Sequence, residues 1–143
     1  MTKQEYLDIY NVVGAAMEVH TTLGKGMAEP IYQESLAIEM RKRGMTVERE
    51  KPLHMFYKDI MLEKTYFADL YYEGIIIELK SASEIIPEHR AQLFNYMRIT
   101  KTNRGILFNY GEDRLYTERF LYQPDIDDFI MLNHDNYMNY ITG

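Results

Sequence analysis

Cysteine is absent from the 143 residues, so disulfides, thiolate metal sites and cysteine nucleophiles drop out at once. Any bound metal must rest on oxygen or imidazole. No stretch approaches the roughly 20 uninterrupted apolar residues of a membrane-spanning helix, and the opening Met1-Thr2-Lys3-Gln4-Glu5-Tyr6 has no signal-peptide character. A soluble, cytoplasmic protein without membrane association is the expectation. A glycine-rich phosphate loop is lacking, which disfavours nucleoside-triphosphate chemistry. There is no internal repeat or low-complexity segment. Cations are in deficit: 16 basic residues stand against 22 acidic ones, a net charge of −6, which argues against a protein whose main task is to coat nucleic acid. A site built of carboxylates would itself add negative charge, which bound divalent cations offset locally. The two basic clusters, Arg41-Lys42-Arg43 and Arg98, Lys101 and Arg104, read first as solvated helix ends.

With 46% of residues apolar, there is material for the core of one domain. Apolar positions at Leu7, Ile9, Val12, Val13, Ala16, Met17 and Val19 predict an amphipathic helix over residues 4–22. Leu23-Gly24-Lys25-Gly26 ends it, and a second helix starts near Glu29-Pro30 and stops at Gly44. From Thr46 to Ser81 short runs of Val, Tyr, Phe and Ile, broken at Lys51-Pro52, Lys58-Asp59 and Glu73-Gly74, predict an antiparallel meander. Pro87 opens a third helix that reaches about Thr100, and strands are expected at Gly105–Tyr110 and Arg114–Tyr122. The fold class expected is α/β in the α+β sense, a mixed central sheet flanked by helices. Residues 1–123 make up the domain; residues 124–143 are expected as a tail, with a short helix over Asp125–Leu132.

The informative segment is the hairpin Phe67-Ala68-Asp69-Leu70-Tyr71-Tyr72-Glu73-Gly74-Ile75-Ile76-Ile77-Glu78-Leu79-Lys80. A two-residue turn at Glu73-Gly74 sets Leu70 opposite Ile77 and Asp69 opposite Glu78. Lys80 then shares the face of Glu78, while Leu70, Tyr72, Ile75, Ile77 and Leu79 form a core face. Opposed carboxylates roughly 5 Å apart destabilise a sheet unless something offsets the repulsion. A Mg²⁺ or Mn²⁺ ion held by Asp69 and Glu78 would do so. Lys80 beside it could activate water or stabilise charge on a phosphodiester. The competing reading is a solvent-facing strand on which Lys80 pairs with one of the acids.

These residues resemble the PD-(D/E)xK phosphodiesterase superfamily: Asp69 and Glu78-Leu79-Lys80 look like its catalytic core. Gln92-Leu93-Phe94-Asn95-Tyr96 resembles the glutamine-x-x-x-tyrosine signature of RecB-type nucleases, and Gly26-Met27-Ala28-Glu29-Pro30-Ile31-Tyr32 fits the motif of the bacterial GxxExxY family. The resemblance runs from about Asn11 to about Tyr110. It implies a restriction-endonuclease-like, RecB-like fold and a metal-dependent nuclease acting on nucleic acid, DNA foremost. It also implies a catalytic role for Gln92 and a third metal ligand in Glu18, with Glu29, Tyr32, Tyr96 and His20 as accessory candidates. One departure is Phe67, where the family often has a basic residue; this puts a phosphate contact in doubt. The alternative is a non-catalytic nuclease-fold module that binds a protein partner or assembles as a homo-oligomer.

Overall fold

The computed structural model describes residues 1–142. Helix α1 spans Lys3–Leu23 and opens with a reciprocal cap, in which the Glu5 N–H donates to the Thr2 hydroxyl and the Thr2 N–H to the Glu5 carboxylate. Gly24, at φ 76°, ends it. Helix α2, Glu29–Lys42, carries Pro30 in its first turn, where a missing N–H costs nothing. Strands β1 (Glu48–Tyr57), β2 (Ile60–Tyr72) and β3 (Ile75–Lys80) form the antiparallel meander, and α3 (Pro87–Thr100) carries the chain across to β4 (Arg104–Asn109). Strands β5 (Tyr116–Gln123) and β6 (Asp128–Leu132) follow. Among the described residues, no helix is long and apolar enough to cross a membrane.

The sheet keeps sequence order, β1-β2-β3-β4-β5-β6, with β3 and β4 parallel and every other neighbouring pair antiparallel. That mixed pattern is the α+β architecture expected of the fold class. Both faces of β3 and β4 are covered, so their residues read as continuous apolar runs. On one face α1 and α2 bury Ile9, Val12, Ala16, Leu36 and Met40 against Leu70, Ile75, Ile77, Leu79, Ile106 and Phe108. On the other, α3 packs Leu93, Tyr96 and Met97 over Ala68, Ile76, Leu107 and Phe120. Gly105 lets α3 sit this close, since a side chain there would strike Met97 and Leu93.

Three expectations need correction. Residues 125–132 do not form a helix: after a short 3₁₀ turn at Pro124–Ile126, Asp128–Leu132 is β6, paired antiparallel with β5. Phe129 provides the reason, since it stacks on both Phe94 and Tyr122 and draws the segment into the sheet. Lys51-Pro52 does not break β1, because β1 is the sheet edge, the one place where a strand tolerates a residue without an N–H. Arg104 is not solvated. It is 4% exposed and ties the start of α1 to the hairpin turn through the carbonyls of Glu5 and Glu73, with Asp8 and the Glu5 carboxylate beside it.

Arg90 of α3 reaches across to β5 and grips the buried Glu118 with two bonds of 2.7 and 2.6 Å, while the Tyr116 hydroxyl donates a third. Burial pushes Glu118 up, but these hydrogen bonds and the Arg90 charge more than reverse it and hold the carboxyl below its ordinary value of 4.5. Stability from this clamp is therefore full above pH 4.5 and lost as pH falls through the folded value. Arg90→Ala, which leaves the buried carboxylate with the Tyr116 hydroxyl alone, is expected to cost about 2 kcal/mol in urea unfolding at pH 7 and much less at pH 3. An equal loss at both pH values would show that the pair contributes packing only.

Candidate active site

The Glu73-Gly74 turn has φ of 48° and 79°, both left-handed, as a two-residue hairpin requires. It sets Tyr72 against Ile75, Tyr71 against Ile76 and Leu70 against Ile77. One step further the regular ladder stops. The Asp69 carboxylate takes over, accepting the Leu79 N–H at 2.8 Å, while the Asp69 N–H donates to Glu78 Oε1 at 3.4 Å. Ala68 packs under α3 but Leu70 under α1 and α2, although residues two apart on a regular strand share a face. Strand β1 resets in the same place: Val47 and Leu53 lie in opposite cores, and Glu50 between them has φ 50°. The paired strands thus kink together at Glu50 and Asp69, which turns Asp69 toward the end of β3.

Glu78 is 3% exposed, the one charged residue in the buried run Ile75–Leu79. Burial, then the charge of Asp69 and a hydrogen bond with its carboxyl, raise Glu78 well above the usual carboxylate range; Lys80 offsets only part of this. Lys80 Nζ, at the half-buried end of β3, donates to Gln92 Oε1 at 3.2 Å, and Gln92 Nε2 donates to the Tyr96 hydroxyl at 3.0 Å. Gln92 and Tyr96 are one turn apart on α3 and face the strand together. The structure therefore gathers Asp69, Glu78, Lys80, Gln92 and Tyr96 around one end of β3.

A cleft of about 130 Å³ opens beside Asp69, lined also by Glu29, Pro30, Gln33 and Glu50. Gln33 Nε2 donates to Glu50 Oε1 at 2.7 Å and to Asp69 Oδ1 at 3.4 Å, and its carbonyl accepts from Arg49. Gln33 and Glu50 line the candidate site, and the sequence reading missed them. A signal for Gln33 exists: it follows Glu29 by one turn and shares the buried side of α2 with Leu36, Ala37 and Met40.

Three candidates lie elsewhere. Glu18 is exposed on α1, where the Thr22 hydroxyl donates to it, and it does not line the cleft. His20 Nε2 meets the Glu112 carbonyl at 2.9 Å. Tyr32 is fully buried, stacked on Tyr110 at 4.2 Å; its hydroxyl donates to the Gly24 carbonyl and accepts from the Met27 N–H. The Gly26 N–H bonds to the Tyr110 carbonyl, and the Tyr110 N–H bonds to the Lys80 carbonyl at 2.7 Å. The glycine and tyrosine of the Gly26–Tyr32 motif thus lash the α1–α2 loop to the strand end that carries Lys80, and Glu29 enters the cleft as a result.

Among the described residues no cluster of three or more His, Asp or Glu side chains is disposed to hold a metal ion. The Asp69–Glu78 pair nonetheless fits a hard divalent cation that keeps much of its water: its donors are all oxygen, and Glu78 is buried beside a second acid, with Lys80 the cation that offsets part of their repulsion. The raised Glu78 also fixes a sign for stability. The folded protein retains a proton that the unfolded chain releases above 4.5, so stability falls as pH rises from there through the folded value. Glu78→Gln, measured without metal, is expected to unfold several degrees above wild type at pH 8 and level with it at pH 4. A variant that melts lower at pH 8 would show the ionised form to be stabilised instead.

No curated protein and no solved structure matches the chain significantly. The family model of the PD-(D/E)XK nuclease superfamily matches residues 7–120, most of the chain's length, and takes in every residue gathered at the end of β3. With that span matched, the chain belongs to the PD-(D/E)XK nuclease superfamily.

Proposed function

We propose that the protein is a Mg²⁺- or Mn²⁺-dependent nuclease that hydrolyses phosphodiester bonds in nucleic acid, DNA foremost, and that it sits in the RecB-like branch beside the GxxExxY proteins. The observation that carries this is the contact between Asp69 and the buried Glu78, with Lys80 and Gln92 alongside. The branch assignment is supported by Gly26, Glu29 and Tyr32 and by the Gln92–Tyr96 pair, whose places in the structure give each a task. Asp69 and Glu78 would hold the cation, which supplies charge neutralisation and Lewis acidity toward the phosphodiester.

The remaining steps belong to the chain's own groups. The Leu79 N–H fixes one oxygen of Asp69, so the carboxylate presents the other toward the cleft. Burial between two covered sheet faces keeps water from screening Glu78, and its negative form is costly until a cation arrives. Lys80, oriented by Gln92, offers its ammonium to the attacking water or to the negative charge on the non-bridging phosphate oxygens. Tyr96 fixes the amide of Gln92 and so the direction of its carbonyl.

A second reading, the nuclease fold kept as a binding module, is favoured by one observation: the Leu79 N–H and Gln33 already engage both oxygens of Asp69. Two measurements separate the readings. Calorimetric titration of Mn²⁺ should give saturable binding to wild type that disappears in Asp69→Asn. With Mn²⁺ bound, Lys80→Ala should lower DNA cleavage by about 100-fold or more while metal binding stays. Cleavage unchanged in that variant would remove the role assigned to Lys80, and wild-type protein that neither binds Mn²⁺ nor cleaves would favour the binding module.

A further inference from the structure

Strand β2 is 13 residues long and β3 only 6, so beyond Ala68 the β1–β2 ribbon extends past the rest of the sheet. Between this ribbon and α3 runs a groove of about 740 Å³, lined by Met55 and Tyr66 on the ribbon and by His89, Gln92, Asn95 and Tyr96 on the helix. Its inner end is the site itself, since Gln92 and Tyr96 belong to both and Gln92 holds Lys80. We infer that this groove carries the substrate strand, and that it accepts an unpaired strand of nucleic acid with a base stacked on Tyr66. The inference rests on the nuclease reading and names the form of substrate that the site takes.

Volume and chemistry both favour that occupant. The groove has room for one or two nucleotides, and its walls offer aromatic and thioether surface next to amides. Tyr66 keeps 36% of its surface exposed and stands 5.7 Å from Tyr96, tilted by 48°; the Lys64 ammonium lies over its ring, and a base that stacks at the threshold of the site takes that place and leaves Lys64 beside its phosphate. Base-on-aromatic stacking is indifferent to sequence and needs a base freed from its pair. A duplex would instead need a row of cations for its two backbones, and the groove does not supply one. Arg98 is committed to Asp127 and Asn95, Arg90 to Glu118, and Glu88 adds negative charge at the rim. His89 accepts the Ile86 N–H on Nδ1, and burial followed by the Lys80 charge disfavours its protonation. Lys64, 5.4 Å from the Tyr66 ring, and Lys80 are the cations left beside the groove, enough to follow one backbone.

The test is fluorescence anisotropy of a labelled oligothymidine of about 12 nucleotides and of a blunt duplex of equal length, in EDTA, with Mn²⁺-dependent cleavage of the same oligonucleotides run in parallel. Wild type should bind the single strand at least tenfold more tightly than the duplex. Tyr66→Ala should lose about tenfold or more on the single strand, Tyr66→Phe should keep the affinity, and Met55→Glu, which sets a carboxylate in the groove wall, should lose it too. A melting temperature near wild type for Tyr66→Phe and Met55→Glu separates lost stacking from lost fold. Equal single-strand affinity in Tyr66→Ala and wild type, a duplex bound as tightly, or no binding of either oligonucleotide would overturn the inference. Stacking-dependent binding without cleavage would sink the nuclease reading and leave the groove assignment standing; cleavage indifferent to Tyr66 and Met55 would do the reverse.

Discussion

The hydrogen bond from the Leu79 N–H to the Asp69 carboxylate stands where a backbone carbonyl would stand in an unbroken β-ladder. A buried amide must find an acceptor, and a side chain that supplies one lets the strand depart from regular pairing without penalty. Because Asp69 serves as that acceptor, β2 and β1 can reset their faces there, and the far ribbon can turn its Leu53 and Ala68 under α3. The same bond sets one acid against another in a region where the apolar run of β3 has already excluded water. An acid pair in this position is therefore a consequence of how the sheet bends.

Hydrogen bonds from the end of β4 hold the segment that follows β3. The Tyr110 N–H secures the Lys80 carbonyl, and the buried Asn109 bonds both the N–H and the carbonyl of Ala82 as well as the Gly111 N–H. Gly111 passes so close to Ala82 that any side chain there would strike its backbone. Lys80 is thus fixed at its own carbonyl and again two residues on, which limits the freedom of a long side chain whose ordering otherwise costs entropy. Gln92 then needs only one bond to direct the ammonium.

How much of this was legible in the sequence depends on the range of the interactions. The hairpin register could be read because Glu73-Gly74 is a local turn signal and the flanking apolar residues alternate. The three helices could be read because period and first-turn prolines are local as well. Strand β6 could not: its polar start gives no alternation, and it is held by Phe129 stacking on residues 35 and 7 positions away, Phe94 and Tyr122. Gln33 and Glu50 were missed for a related reason, since their meeting with Asp69 depends on a kink in two strands and on where α2 lies across them. Glu18 illustrates the converse. Its helix was plain, but which side of α1 faces the sheet is decided by Val12, Ala16 and Val19, and Glu18 falls on the other.

The acidic balance of the chain takes on a local meaning once the pairs are placed. Arg90, Arg98 and Arg104 are each drawn into bonds that fasten α3 to β5, α3 to the turn after β5, and α1 to the hairpin. Three guanidinium groups near the sheet are thereby spent on architecture, and the acids at the end of β3 keep Lys80 as their main neighbour of opposite sign. A site left short of positive charge in a dry setting attracts a cation more strongly than one already neutralised. Moving any of those arginines toward Glu78 would neutralise the carboxylates and remove that attraction. The placement of the structural ion pairs and the chemistry of the acid pair are in this sense one constraint, met by keeping the guanidinium groups away from the end of β3.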